Sequence, residues 1–210
     1  TFMVSQPQLL LIDALASFGQ KNWEQARNKF RIYIKHAEDK LDIRAVVLLA
    51  DVYNALNQSK EALTLLSRYE SELLAHKEYA LLLAGTYIKH GQKLDADNLL
   101  IQLRELYGAD PGVLLMSAHL LNNRGHAKQA IEMLTNADIP ENDNYKHTLA
   151  ALYLNAGQFQ SSLTLSAELA QSEPSNVEYR LLEIKSLIGV GKTGEAEDNI
   201  RSLYQSHKKL

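Results

Sequence analysis

The sequence has no cysteine, which excludes disulfides, thiolate zinc sites and cysteine nucleophiles together. Long apolar runs are missing as well. Leu9-Leu10-Leu11-Ile12, for example, is closed by Asp13, and no run approaches the ~18 residues needed to cross a bilayer. Neither charge sign dominates: 22 basic side chains stand against 25 acidic ones, a formal net charge of -3, so nothing electrostatic favours wrapping nucleic acid or adhering to an anionic membrane. Strand alternation is almost absent. Ala80-Leu81-Leu82-Leu83-Ala84-Gly85-Thr86-Tyr87-Ile88, for example, has too few β-branched residues and too long a run for a buried strand. No signal-peptide pattern is present and the first residue is Thr1 rather than Met, which we read as a processed product or excised fragment with any targeting segment upstream. Lack of thiols leaves the compartment open between cytoplasm and periplasm.

What the 210 residues do contain is helical periodicity from end to end, with 46% apolar content, enough for a substantial core. Breakers are sparse and evenly placed: Gly91, Gly125, Gly157 and Gly191 each separate two apolar-periodic stretches, and Pro111, Pro140 and Pro174 mark longer-range joints. Aligning on the glycines brings small residues into two columns. One holds Ala14, Ala50, Ala84, Ala118, Ala150 and Ile184, at successive spacings of 36, 34, 34, 32 and 34; the other, always 12 residues later, holds Ala26, Ala62, Ala96, Ala130, Ser162 and Ala196. Small side chains at matched sites allow two antiparallel helices to approach closely. Further columns supply core positions: Ser17, Tyr53, Tyr87, Leu121, Tyr153 and Leu187, and then Phe30, Leu66, Leu100, Leu134, Ser166 and Ile200.

On these residues the chain resembles the tetratricopeptide repeat family, whose helix-turn-helix unit of ~34 residues carries small residues at its eighth and twentieth positions, Tyr at the eleventh and Gly at the fifteenth. The resemblance runs from about Gln8 to about Gln205, with departures at Lys21 and Asn57, where the turn glycine is expected, and at Ile184 and Ser162. It implies an all-α, right-handed α-solenoid of about six units, roughly 7–42, 43–76, 77–110, 111–142, 143–176 and 177–210, forming a single domain over 1–210. First helices are expected at 8–18, 43–56, 77–90, 111–123, 144–156 and 177–189, and their partners at 22–36, 59–74, 93–107, 127–137, 159–171 and 193–206.

Chemistry-bearing patterns are few. Ser186-Leu187-Ile188-Gly189-Val190-Gly191-Lys192-Thr193 approaches the phosphate-binding G-x-x-x-x-G-K-[ST], but Ser186 replaces the first glycine and no strand precedes it; we expect a repeat turn there. The seven histidines make no H-E-x-x-H, nor any spacing with carboxylates that would hold a metal. His119 and His147 can approach from adjacent units, but two imidazoles alone form an incomplete site. No nucleophile elbow or framed carboxylate pair occurs. Arg27, Arg31 and Lys35 form a short basic stripe, read as a solvated face, and Asn57-Gln58-Ser59 as a turn rather than a glycosylation site.

The remaining candidate is the surface that the architecture itself creates. In such arrays the first helices line a concave groove, and the resemblance by position implies Arg44, Asp51 and Asn54 from the second unit, then Glu78, Leu81 and Lys89 from the third. The fourth unit contributes Leu115, His119, Asn122 and Asn123, the fifth His147, Ala151 and Asn155, and the sixth Leu181 and Lys185. Side-chain amides bond peptide backbone in both directions, which suits a peptide partner. The Lys and Asn pattern that clamps chaperone-tail carboxylates in related domains is absent, since Val47 and Asp51 occupy two of its sites. At the N-terminal edge, Leu9, Leu10, Leu11, Ile12 and Leu15, with Phe18, cover more of their helix than one buried face requires, pointing to upstream chain or a homodimer contact through Leu9, Leu10 and Ile12. The last helix, with Glu195, Glu197, Asp198, Arg201 and Gln205, reads as a polar end cap. The expectation is a protein-binding scaffold, adaptor or chaperone without enzymatic activity, metal or cofactor. By family resemblance it would serve a multi-protein assembly such as secretion, pilus or envelope machinery. Two alternatives stay open: an enzyme with a site dispersed across His119, Asn122 and His147, and a homo-oligomerising structural protein.

Overall fold

The computed structural model describes residues 6–37 and 40–207, which contain thirteen helices and no strand. In chain order they are α1 (Gln6–Gly19), α2 (Trp23–His36), α3 (Arg44–Ala55), α4 (Ser59–Arg68), α5 (Glu70–Leu73), α6 (Lys77–Lys89), α7 (Lys93–Tyr107), α8 (Pro111–Asn123), α9 (Ala127–Thr135), α10 (Asp143–Asn155), α11 (Phe159–Ser172), α12 (Val177–Gly189) and α13 (Thr193–His207). Two compact units are distinguished, Thr1–Leu99 and Leu100–Leu210, the division falling inside α7. None of the helices among the described residues is long and apolar enough to span a membrane.

The two small-residue columns explain the pairing. All twelve positions are buried, none more than 4% exposed, including the departures Ile184 at 4% and Ser162 at 0%. In unit 1, α1 packs on α2 and α2 on α3, around Ala14, Ala26, Phe30, Tyr33 and Leu49. In unit 2, α8 packs on α9, α9 on α10, α10 on α11 and α11 on α12. Its two clusters centre on Ala118, Ala130, Leu134 and Leu152, and on Leu163, Ile184, Leu187 and Ala196.

One turn geometry recurs six times. After each first helix, a residue in the left-handed region donates its N–H three residues back and its successor donates five residues back. Gly125 to Asn122 (2.9 Å) and His126 to Leu121 (2.9 Å) give one instance; Lys21 to Phe18 (2.9 Å) and Asn22 to Ser17 (3.0 Å) give another. These bonds satisfy the last carbonyls of the helix. Lys21 (φ 56°) and Asn57 (φ 59°) adopt the conformation that glycine takes in the other four turns. Both departures from the turn glycine therefore leave the hairpin intact, at a backbone cost of about 1 kcal/mol each for a side chain in that region. The starts of α8, α10 and α12 are fixed by side-chain caps: Asp110 accepts from the N–H of Gly112 at 2.9 Å, Asn142 from Tyr145 at 3.0 Å and Asn176 from Glu178 at 3.1 Å.

Two details differ from the sequence expectation. The second helix of the second pair, expected to run unbroken to residue 74, stops at Arg68 and resumes as α5. At Tyr69 the backbone tightens (φ -106°, ψ 22°) and its N–H bonds Leu66 at 3.1 Å, which lets Leu73 enter the core and brings Glu70 beneath Tyr87. The Tyr87 hydroxyl donates to Glu70 Oε2 at 2.6 Å; burial, and then this bond, push its pKa up to about 12. The polar end cap expected of α13 is only partial, since Ile200 and Tyr204 are exposed beside its charges.

Candidate functional site

In unit 2 the first helices α8, α10 and α12 lie side by side, α10 touching both neighbours, because each is set one repeat further along the stack. Side chains one repeat apart then meet. Asn155 Nδ2 donates to Asn122 Oδ1 at 3.0 Å, and Thr148 Oγ1 stands 3.5 Å from His119 Nε2. Between α10 and α12, the His147 and Tyr179 rings pack with centroids 5.4 Å apart at 43°. His119 and Asn155 are exposed, Asn122 and His147 half-buried, and Thr148 fully buried beneath them. The result is a row of amides and imidazoles held by contacts between successive first helices, with spare donor and acceptor capacity directed to solvent.

Desolvation by surrounding protein atoms lowers the pKa of His119, and the charge of a protonated His147 would lower it further. Among the described residues no group of three or more His, Asp or Glu side chains could hold a metal ion.

The other candidates are distributed as follows. In unit 2, Asn123, Leu181 and Lys185 are exposed and Ala151 is half-buried. Leu115 is a correction: it is 7% exposed and packed in the cluster around Leu134, because its position on α8 points toward α9 and α10 rather than outward. In unit 1, Asp51, Asn54, Glu78 and Lys89 are exposed and Leu81 half-buried. Arg44 is engaged at the start of α3, where its guanidinium forks onto Asp42 with Nε at 3.0 Å from both carboxylate oxygens; this bond holds the Asp42 carboxyl below its usual range. Desolvation by neighbouring protein atoms raises the pKa of Asp51, though the residue is exposed. At the N-terminal edge, Leu9, Ile12 and Leu15 are exposed, while Leu10 is half-buried against the unit 1 core with Leu11 and Phe18.

The phosphate-loop look-alike resolves into helix and turn. Ser186 is fully buried, Gly191 (φ 84°) forms the repeat turn, and Lys192 pairs with Glu195 at 3.0 Å. Arg27 also departs from the solvated-face reading: it is half-buried, paired with Glu24 and reaching Gln58 Oε1 at 3.5 Å. Thr148 and Tyr179, which buttress the two histidines, escaped the positional argument. The signal that finds them is separation by about one repeat: Thr148 lies 29 residues from His119, close to the 33 between Asn122 and Asn155.

Helix hairpins stacked through small-residue contacts, each exposing its first helix, define an α-solenoid, an architecture that presents extended surfaces to other proteins. Comparison with solved structures is specific: the fold is that of tetratricopeptide repeat proteins. A tetratricopeptide repeat protein from Parabacteroides merdae superposes with a TM-score of 0.78 at 15% identity, over 95% of this chain and 79% of that one. A thermophilic tetratricopeptide repeat protein of Thermus thermophilus gives 0.62 at 18% identity, over 87% and 99%. No family profile and no curated protein sequence matches the chain.

Proposed function

We propose that this chain binds a peptide segment of a partner protein on the first-helix face of unit 2, as a scaffold or adaptor in a multi-protein assembly. The observation that supports the reading is the row Asn122–Asn155, His119–Thr148 and His147–Tyr179 across three successive helices. Amides and imidazoles spaced by the repeat can bond the alternating N–H and C=O groups of an extended chain, and Leu181, 42% exposed on α12, offers an apolar contact. In unit 1, Asp51, Asn54, Glu78, Leu81 and Lys89 form a separate candidate patch on the corresponding helices.

The test is capture of the partner by the full chain and by the Asn122→Ala, Asn155→Ala double variant. Retention by the parent and loss by a variant of unchanged helicity supports the proposal; equal retention contradicts it. Turnover of any compound in a broad screen, abolished by His119→Ala, would favour the enzyme alternative instead. The homodimer reading rests on exposed Leu9, Ile12 and Leu15. Sedimentation should then show a dimer that dissociates on Leu9→Glu with Ile12→Glu, and a monomer at high concentration would dismiss it.

A further inference from the structure

On the opposite helix layer of unit 1, α2 and α4 bracket a cleft of about 610 Å³ with α3 beneath it. Four cations line it: Arg31 and Lys35 from α2, Lys60 and Arg68 from α4. All four are exposed, and none makes a side-chain hydrogen bond or ion pair among the described residues. Three other cations of the unit are neutralised: Arg27 by Glu24, Lys29 by Asp13 at 2.7 Å, Arg44 by Asp42. Among the described lining residues the one carboxylate is Glu61, and it pairs with none of the four cations. The floor, in contrast, is apolar, formed by Ile34, Leu49 and Leu65 with the ring of Tyr53. Like charges gathered around an apolar floor repel one another until a ligand supplies the missing anions.

We infer that this cleft is a second binding site, for an acidic peptide segment of a protein partner that carries an apolar side chain between carboxylates. The spacing selects that occupant. Lys60 and Arg68 are two helical turns apart, ~12 Å at 1.5 Å per residue, and Arg31 and Lys35 one turn apart, ~6 Å. An extended peptide of ~4 residues covers ~12 Å, placing carboxylates on both cation rows and one side chain on the floor. A single phosphate cannot bridge that span and would leave the apolar floor unused. A nucleic acid strand would have the phosphates but needs open aromatic faces for its bases, and the floor is mainly aliphatic. Position and chemistry both separate this site from the amide row of unit 2.

The experiment is fluorescence anisotropy of a labelled, acetylated Asp-Glu-Leu-Glu-Asp peptide titrated with the full chain. Binding should be saturable and weaken about tenfold or more in Lys60→Glu with Arg68→Glu, and similarly in Arg31→Gln with Lys35→Gln as an independent pair on the other wall. It should weaken several-fold between ~50 and ~300 mM salt, and several-fold when Ser replaces the peptide leucine. Circular dichroism verifies that each variant folds, and a variant that fails this check is replaced by the other pair. The inference is overturned if the peptide does not bind or if both folded charge variants bind it unchanged. It is equally overturned if an oligouridine strand binds more tightly than the peptide, or if the Ser peptide binds as well as the Leu peptide while pyrophosphate displaces both.

Discussion

Ser162 occupies a column that is otherwise all alanine, so reversion to alanine separates two accounts of why the helices of unit 2 hold together. If close apolar packing were the whole explanation, Ser162→Ala would be neutral or stabilising. The structure argues otherwise. Ser162 Oγ donates to the Ala150 carbonyl at 2.8 Å and lies 2.7 Å from Ser186 Oγ, which in turn stands 2.9 Å from the Leu182 carbonyl; both serines are fully buried. These hydroxyls link α10, α11 and α12. With one proton each, Ser162 bonds Ala150, while Ser186 has a choice of Ser162 or Leu182. Ser162→Ala therefore removes one net hydrogen bond and leaves Ser186 its backbone acceptor, a cost of about 1 kcal/mol. Ser186→Ala leaves Ser162 its bond to Ala150 and removes the other hydrogen bond, also about 1 kcal/mol, so the double variant should cost about 2 kcal/mol, the two protons having separate backbone acceptors. Calorimetry should show the Ser162→Ala midpoint about 2–4 °C lower, with hydrogen exchange accelerated most in α11 and α12. A stabilised Ser162→Ala, or a double variant that costs no more than either single, would refute the reasoning.

Three further outcomes are expected. In Gly189→Ala the new methyl falls onto the Phe159 ring and Cβ, so stability should drop by about 1–3 kcal/mol in chemical denaturation and recover largely when Phe159→Ala is added. Lys21→Gly relieves a left-handed side chain in the first turn and should raise the unfolding free energy in chemical denaturation by about 0.5–1 kcal/mol, whereas Gly157→Lys at the equivalent turn should lower it similarly. His119 has a lowered pKa, so it stays neutral in the folded state under conditions where the unfolded chain already takes up its proton. Its contribution is intact above the ordinary value of 6.5 and is lost as pH falls from there through the lowered folded pKa. Thermal midpoints at successive pH values across that window should fall more steeply for the parent than for His119→Gln, and equal slopes would contradict the assignment.

Most of the fold was legible because the residues that set it are local or periodic. The alanine columns mark where hairpin helices touch, and eleven of the twelve elements expected from periodicity end within a few residues of the observed helices. The break at Tyr69 was not legible, since it follows from where Leu73 and Glu70 meet α6 rather than from a breaker residue in the string. The turns at Lys21 and Asn57 look irregular in sequence and regular in space, because stacking imposes a backbone state that those residues tolerate at modest cost. At the candidate site, the position of a residue within its unit identified His119, Asn122, His147 and Asn155, but it could not show that Leu115 faces inward or that Tyr179 leans on His147. The cleft between α2 and α4 escaped as well. Arg31 and Lys35 were visible as a stripe, whereas Lys60 and Arg68 join them only once two hairpins are stacked.

The central functional claim is most directly tested by site-specific photo-crosslinking in the native host extract. A benzophenone amino acid is placed in turn at Asn122, at Asn155 and at the exposed Lys128 on α9. A discrete partner band from Asn122 and Asn155, absent from Lys128, is the predicted result. Crosslinks from Lys128 alone, or from none of the three positions, would contradict it.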